Sequence, residues 1–233
     1  MGESSTGALP TKPDRLQHRD LLQHNGQMRH TPASLLTDLD EVKRLIRENP
    51  WATIVSTTVN GIVASHYPVL LEEDAQGISI VSHVGRPDER LHELGQHEIL
   101  VIIQGPHGYI SPGWYETEDF VPTSNHVTAH LYGTPELLCE EENFAVLGHL
   151  VDHFEQRMPQ PKSLQIDESA ARHIATGTVG LRLRVTRFDA RRKLSQNKEP
   201  AVIERIARHL EGDGTYSSAP LAAEMRRANP VAS

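Results

Sequence analysis

Ala52-Thr53-Ile54-Val55-Ser56-Thr57-Thr58-Val59-Asn60-Gly61-Ile62-Val63-Ala64-Ser65-His66-Tyr67-Pro68-Val69-Leu70-Leu71 reads as strand, turn, strand. Residues 52–58 are rich in β-branched side chains, which fit a pleated, half-buried surface. Asn60-Gly61 is a hairpin signal, because both residues tolerate the positive φ of a tight turn. Residues 73–77 give the next turn and 78–84 a third strand. A fourth strand is expected over 98–104, a fifth over 127–138 broken by Gly133, and another over 177–187. Short strands at hairpin spacing, with helices inserted later, predict a small closed barrel with helical additions, an α+β fold.

The helices follow from a period of 3.6. One opens at 37–41, carries Leu39, Val42, Leu45 and Ile46 on one face, and stops at Asn49-Pro50. A short helix is expected over 88–94. A strong one covers 140–157, with Phe144, Leu147, Leu150, Val151 and Phe154 at helical spacing. Others are expected over 168–174, 200–210 and 221–227. Residues 1–27 are polar and rich in Gln, His, Gly and Ser, which predicts a disordered leader.

Composition narrows the function class. The chain has 233 residues, 37% hydrophobic and 23% charged, and a formal charge of −8. An acidic chain without a basic stripe is not built to bind duplex DNA directly. No apolar run is long enough to span a bilayer, and the N-terminus lacks an apolar signal core. A single cysteine, Cys139, rules out an intrachain disulfide and fits a cytoplasmic protein. Its residue type predicts a small buried hydrophobe.

The chemistry gathers in a few places. Gln104-Gly105-Pro106-His107-Gly108-Tyr109-Ile110-Ser111-Pro112-Gly113-Trp114-Tyr115 combines glycine, proline, histidine and aromatics in what reads as a loop after an apolar strand. Glycine lets backbone approach a ligand closely, and flat side chains suit a planar group; the same aromatics also suit a core cap. His66 precedes Tyr67-Pro68, and a proline within a strand marks an edge or a bulge that can redirect a side chain. It is either a hydrogen-bonded strand histidine or a cofactor contact. His126 and His130 share one face of an extended chain and form an incomplete metal pair or a polar face. Residues 191–198 are the concentrated basic run, which reads as a solvated charge cluster or as donors for phosphate or carboxylate oxygens.

Ser65-His66-Tyr67-Pro68, the 104–115 segment, Val121-Pro122-Thr123 and Lys193-Leu194-Ser195-Gln196-Asn197-Lys198 together resemble the PaiB-like family of FMN-binding negative transcriptional regulators. The resemblance runs from about Met28 to the C-terminus. It implies a split β-barrel related to flavin reductases over 28–233, with C-terminal helical additions, built as a homodimer with cofactor sites near the subunit interface. The family typically reads Val-Pro-Thr-Trp-Asn followed by an aromatic residue, whereas this chain has Ser124 and His126 at the two flat positions. The family also includes haem-dependent piperazate synthases, which close an N-hydroxylated ornithine by forming an N–N bond.

That resemblance makes haem the expected cofactor and FMN the alternative. It implies His66 as first choice of axial metal ligand, with His126 and His130 as second choices, and His107, Tyr109, Trp114, Lys193, Ser195, Gln196 and Lys198 as cofactor contacts. Ser124, His126 and His130 would then face a small-molecule substrate. The expected activity is N–N bond formation. An FMN-binding regulator or flavin-dependent oxidoreductase is the alternative, and a cofactor-free binding protein the third reading.

Overall fold

The computed structural model describes residues 32–73, 75–118 and 121–230, so the predicted leader over 1–27 lies outside the described residues. Eight strands form one antiparallel sheet: β1 (Trp51–Thr58), β2 (Gly61–Leu71), β3 (Ser79–Gly85), β4 (Ile99–Ile110), β5 (Thr123–Gly133), β6 (Glu136–Leu137), β7 (Thr178–Arg184) and β8 (Arg187–Lys193). Their order is β6-β7-β3-β2-β1-β4-β5-β8. The β1–β2 hairpin forms as predicted, with the turn one residue earlier: Thr58 pairs with Gly61 at φ +111, leaving Val59-Asn60 as the loop.

β2 belongs to both arms of the sheet. Residues 61–68 pair with β1, and Val69, Leu70 and Leu71 pair with β3. Pro68 sits at the changeover, where a missing N–H costs least. The arms curl toward each other: the Thr186 N–H donates to the Tyr132 carbonyl and the Val185 N–H to the Ile78 carbonyl, both at 2.9 Å. The sheet is the split barrel that the resemblance implies rather than the closed one that strand spacing suggests, since β6 and β8 remain as sheet edges among the described residues.

One face of the sheet is the core. β1 buries Ala52, Ile54 and Ser56; β4 buries Val101 and Ile103; β5 buries Val127, Ala129 and Leu131. Helix α1 (Leu39–Glu48) begins at Asp38, whose carboxylate accepts from the Asp40 N–H. It buries Val42, Leu45 and Ile46, while Leu39 remains 45% exposed. Helices α5 (Pro200–Glu211) and α6 (Ala219–Ala228) bury Ile206, Leu210, Leu221 and Met225 in the same core. α2 (Arg86–Leu91) is shorter than expected, and α4 (Glu168–Ala175) forms as expected. α3 (Glu140–Glu155) buries Leu150 of the predicted face, but is rotated so that Asn143 and Val146 are its other buried residues. Phe144 instead lies under the Arg172 guanidinium, and Phe154 is exposed.

Three further expectations are corrected. The glycine–proline segment is strand rather than loop as far as Ile110, where β4 ends, and Pro112–Trp114 form a 3-10 turn beyond it. The strand expected over 177–187 ends at Arg184 as β7, and the basic run begins inside a further strand, β8, with Arg191 4% exposed. Cys139 is exposed, because it caps α3, where a helix needs an extended residue rather than a core one.

Gly133 marks where β5 meets the other arm. An added methyl group there would lie 2.7 Å from the Arg184 carbonyl oxygen and 3.0 Å from Leu183 Cδ1. Backbone cannot yield as a side-chain tip can, so Gly133→Ala should cost about 1–3 kcal/mol. Gly148, inside α3, has no atom within 4 Å of such a methyl group. Gly148→Ala should therefore stabilise by about 0.5–1 kcal/mol through helix propensity and a less flexible unfolded chain. Urea unfolding of both variants checks the contrast; a neutral Gly133→Ala would show that the arms do not meet there.

Candidate functional site

The strand register sets the outer face of the sheet. Cross-strand partners lie on one face, so His66 (β2), Thr53 (β1), Ile102 (β4), His130 (β5) and Asp189 (β8) form one rung. The next rung carries Gln104, Thr128 and Arg191, and the one after it His107, His126 and Lys193. Tyr109 and Ser124 pair beyond them. His107 joins this face only because of a register shift between Gln104 and His107. Gly105 and Pro106 together oppose Val127, and the extra residue reverses the alternation, so that His107 and Tyr109 point the same way as Gln104.

The structure thus brings His66, His107, Tyr109, Ser124, His126, His130 and Lys193 to one face. It does not bring all of them together. His66 and His130 lie three strand spacings apart, ~14 Å, too far to share a metal ion. Among the described residues no group of three or more His, Cys, Asp or Glu side chains could hold one. The centre of the face is a recess of about 400 Å³ lined by Gln104, His107, Tyr109, Ser124, His126 and Thr128, among others.

Local bonds orient these groups. His66 Nδ1 lies 3.0 Å from Thr53 Oγ1, which fixes the ring and leaves Nε2 directed away from β1. His107 Nδ1 lies 3.2 Å from the Gly105 carbonyl and 3.1 Å from the Gln104 amide nitrogen, which is 3.3 Å from Nε2, so the ring is held between the bulge and Gln104. The Lys193 ammonium donates to Thr123 Oγ1 and to the Ser124 carbonyl. Tyr109 meets Tyr216 at a ring separation of 5.0 Å.

Trp114, Ser195, Gln196 and Lys198 have partners elsewhere in the chain. Trp114 stacks on His209 of α5 at 5.3 Å. Lys198 lies over the Tyr115 ring at 4.5 Å. Gln196 closes a turn, accepting from the Leu194 N–H and donating to the Arg192 and Ala33 carbonyls. Ser195, at φ +63, is buried against Asn125, whose amide donates to its hydroxyl at 2.9 Å. Asn125 is fully buried directly between the outward Ser124 and His126. Sequence reading missed this residue; the signal was an asparagine alternating with outward residues in a strand.

A second missed network lies under His66. Asp88 accepts from Tyr67 at 2.7 Å and from Ser65, so the Ser65 oxygen is left to accept from His92 Nε2–H at 3.0 Å. His92 Nδ1 then accepts from Ser56 at 2.8 Å. The Tyr67 oxygen also accepts the Gly85 N–H. The two neighbours of His66 are thereby pinned from the core side.

Comparison with known proteins follows the same frame. A family profile described as "Putative FMN-binding domain" matches residues 28–187. Protease synthase and sporulation protein PAI 2 of Bacillus subtilis is 29% identical over 185 residues, 76% of this chain and 86% of that protein. An uncharacterised Saccharomyces cerevisiae protein is 30% identical over 113 residues, 45% of this chain and 67% of its own. The structure of an FAD and haem binding protein from Mycobacterium smegmatis matches with a TM-score of 0.52 at 17% identity, covering 78% of this chain and 81% of that one. At that identity the likeness shows the fold.

Burial holds four histidines, His83, His92, His126 and His130, below the ordinary imidazole value. At His126, the positive charges of Lys193, His107 and Arg191 add to burial; at His130, Asp189 opposes it. The unfolded chain takes up protons below about pH 6.5, while the folded histidines remain neutral. Stability should therefore be fully present above that value and fall as the solution is acidified through it. Urea midpoints between about pH 7.5 and pH 5.5 should decline, and His92→Gln should flatten part of the slope. A level wild-type profile would refute this assignment.

Proposed function

The chain belongs to the PaiB-like FMN-binding family, and we propose that the outer face of its sheet binds FMN in an oxidoreductase acting on a small molecule. The observation that carries this reading is the recess between β4 and β5, whose walls pair hydrogen-bonding side chains with the Tyr109 ring. Half-buried Val55, Leu100 and Ile102 continue the face as an apolar floor. Such a mixture suits a flat group with a polar edge. FMN, when bound, supplies electron or hydride transfer. The chain's own residues hold and orient: Gln104 and Thr128 offer hydrogen bonds, Tyr109 forms a wall, and Ser124 and His126 face the space beside it. Trp51, 61% exposed on the same face, fits coverage by a second copy, which would exclude water from the site.

One observation favours a second reading, haem held by His66. A single imidazole fixed at Nδ1 by Thr53 suits a macrocycle that brings its own equatorial ligands, whereas a bare ion would need more side chains than this face supplies. Under that reading the reaction class is the N–N ring closure of the piperazate synthases, with His126 and His130 turned toward the substrate.

Reconstitution separates the two. Full-length protein titrated with FMN should quench flavin fluorescence to a saturable end point, and His66→Ala should alter the affinity less than tenfold. Titration with haemin should give no Soret band that depends on His66. A Soret band lost in a folded His66→Ala protein, without FMN binding, would replace the first reading by the second. Failure to bind either cofactor would leave the cofactor-free reading.

A further inference from the structure

We propose that the rung His107–His126–Lys193 is an oxyanion subsite, taking the carboxylate or phosphate group of a molecule bound on the outer face. The inference rests on the reading of that face as the ligand face and adds the chemical class that it selects.

The charge distribution is the first argument. The chain carries a formal −8, yet no acidic side chain lines the recess among the described residues. Every polar side chain at its wall can donate a hydrogen bond: Gln104, His107, Tyr109, Ser124, His126 and Thr128. Lys193 stands in register with His126, and Arg191 with Thr128. The carboxylate nearest on this strip, Asp189, pairs with His130 across the strands and is bonded by Arg191 at 3.2 Å. An acidic protein thus lines one recess with donors alone, and carries Lys193 and Arg191 on the strand beside it.

The second argument is the substitution itself. Where the resembled family carries an aromatic residue, this chain has His126, half-buried between His107 on β4 and Lys193 on β8. A flat hydrophobic ring has become a ring with two nitrogens, one of which always donates. Lys193, His107 and Arg191 all disfavour a charge on His126 while no anion is bound. A bound oxyanion reverses that balance by offsetting the cations and accepting from the imidazolium. Anion binding at this rung is therefore coupled to proton uptake.

The test is a titration of the full chain with acetate and with inorganic phosphate at constant ionic strength, read from the histidine ring C–H signals by NMR. His126 should shift and titrate at higher pH when anion is present. Acetate, whose own charge is constant in this range, should bind at least about tenfold more tightly at pH 6 than at pH 8. His126→Phe and Lys193→Gln should each weaken binding about tenfold, while Arg157→Gln, which removes an exposed charge beyond α3, should not.

Two arms identify the source of the anion. If FMN displaces phosphate and riboflavin does not, the rung holds a cofactor phosphate. If FMN and acetate bind together, it holds a substrate carboxylate. Unmoved His126 signals in a protein that still binds FMN or haem would overturn the subsite and leave the ligand face standing. Unmoved signals in a protein that binds neither cofactor would overturn both.

Discussion

One surplus residue in β4 governs the sheet beyond Gln104. With Gly105 and Pro106 both facing Val127, the strand changes parity, and the side chains of His107 and Tyr109 turn outward while Ile110 turns into the core. The inner side of this bulge must be bare. A β-carbon at Gly105 would lie 2.6 Å from Leu45 of α1, and one at Gly108 would lie 3.1 Å from Leu221 of α6. Proline at the other bulge position gives up a donor that the irregular ladder does not need. Gly105, Pro106 and Gly108 thus satisfy the packing of two helices on one side and the aim of two side chains on the other.

The C-terminal helices carry weight that the family profile does not cover. The match ends at residue 187, before most of β8 and all of α5 and α6. Yet β8 supplies the register partners of His126 and His130. Asn125 reaches Ser195 just past β8 and the Met225 sulfur on α6. Asn229, after α6, donates to the Leu194 carbonyl. These bonds hold the backbone between Ser124 and His126 from within, so the outer face keeps its shape through contacts made on the opposite side of the sheet.

Much of the fold was legible in the sequence because one face of each strand is buried. The β-branched run in 52–58, the apolar run in 99–103 and the helical period of Leu39, Val42, Leu45 and Ile46 predicted elements that formed. The bulged part of β4 was not legible, because glycine and proline signal loop wherever they cluster, and only the partner strand shows them as a bulge. β8 was hidden by its charges: Arg191 and Arg192 read as a solvated run, although Arg191 lies in the sheet and is bonded to Asp189. Of the candidate site, the shared face of His126 and His130 on β5 followed from sequence, since strand periodicity fixes it. Ser195 and Gln196 looked alike as donors, but local turn geometry gave both internal partners. The partners of Asn125 and His92 were not legible, because they lie 70 and 36 positions away.

The two borders of the sheet are closed in different ways. β6 is only two residues long, and the N-terminal segment covers β8 where the Leu36 N–H meets the Ala190 carbonyl. Borders this short or masked offer little template for adding a strand from another chain. Edge-to-edge growth between copies, which has no natural end point, is therefore disfavoured at both borders.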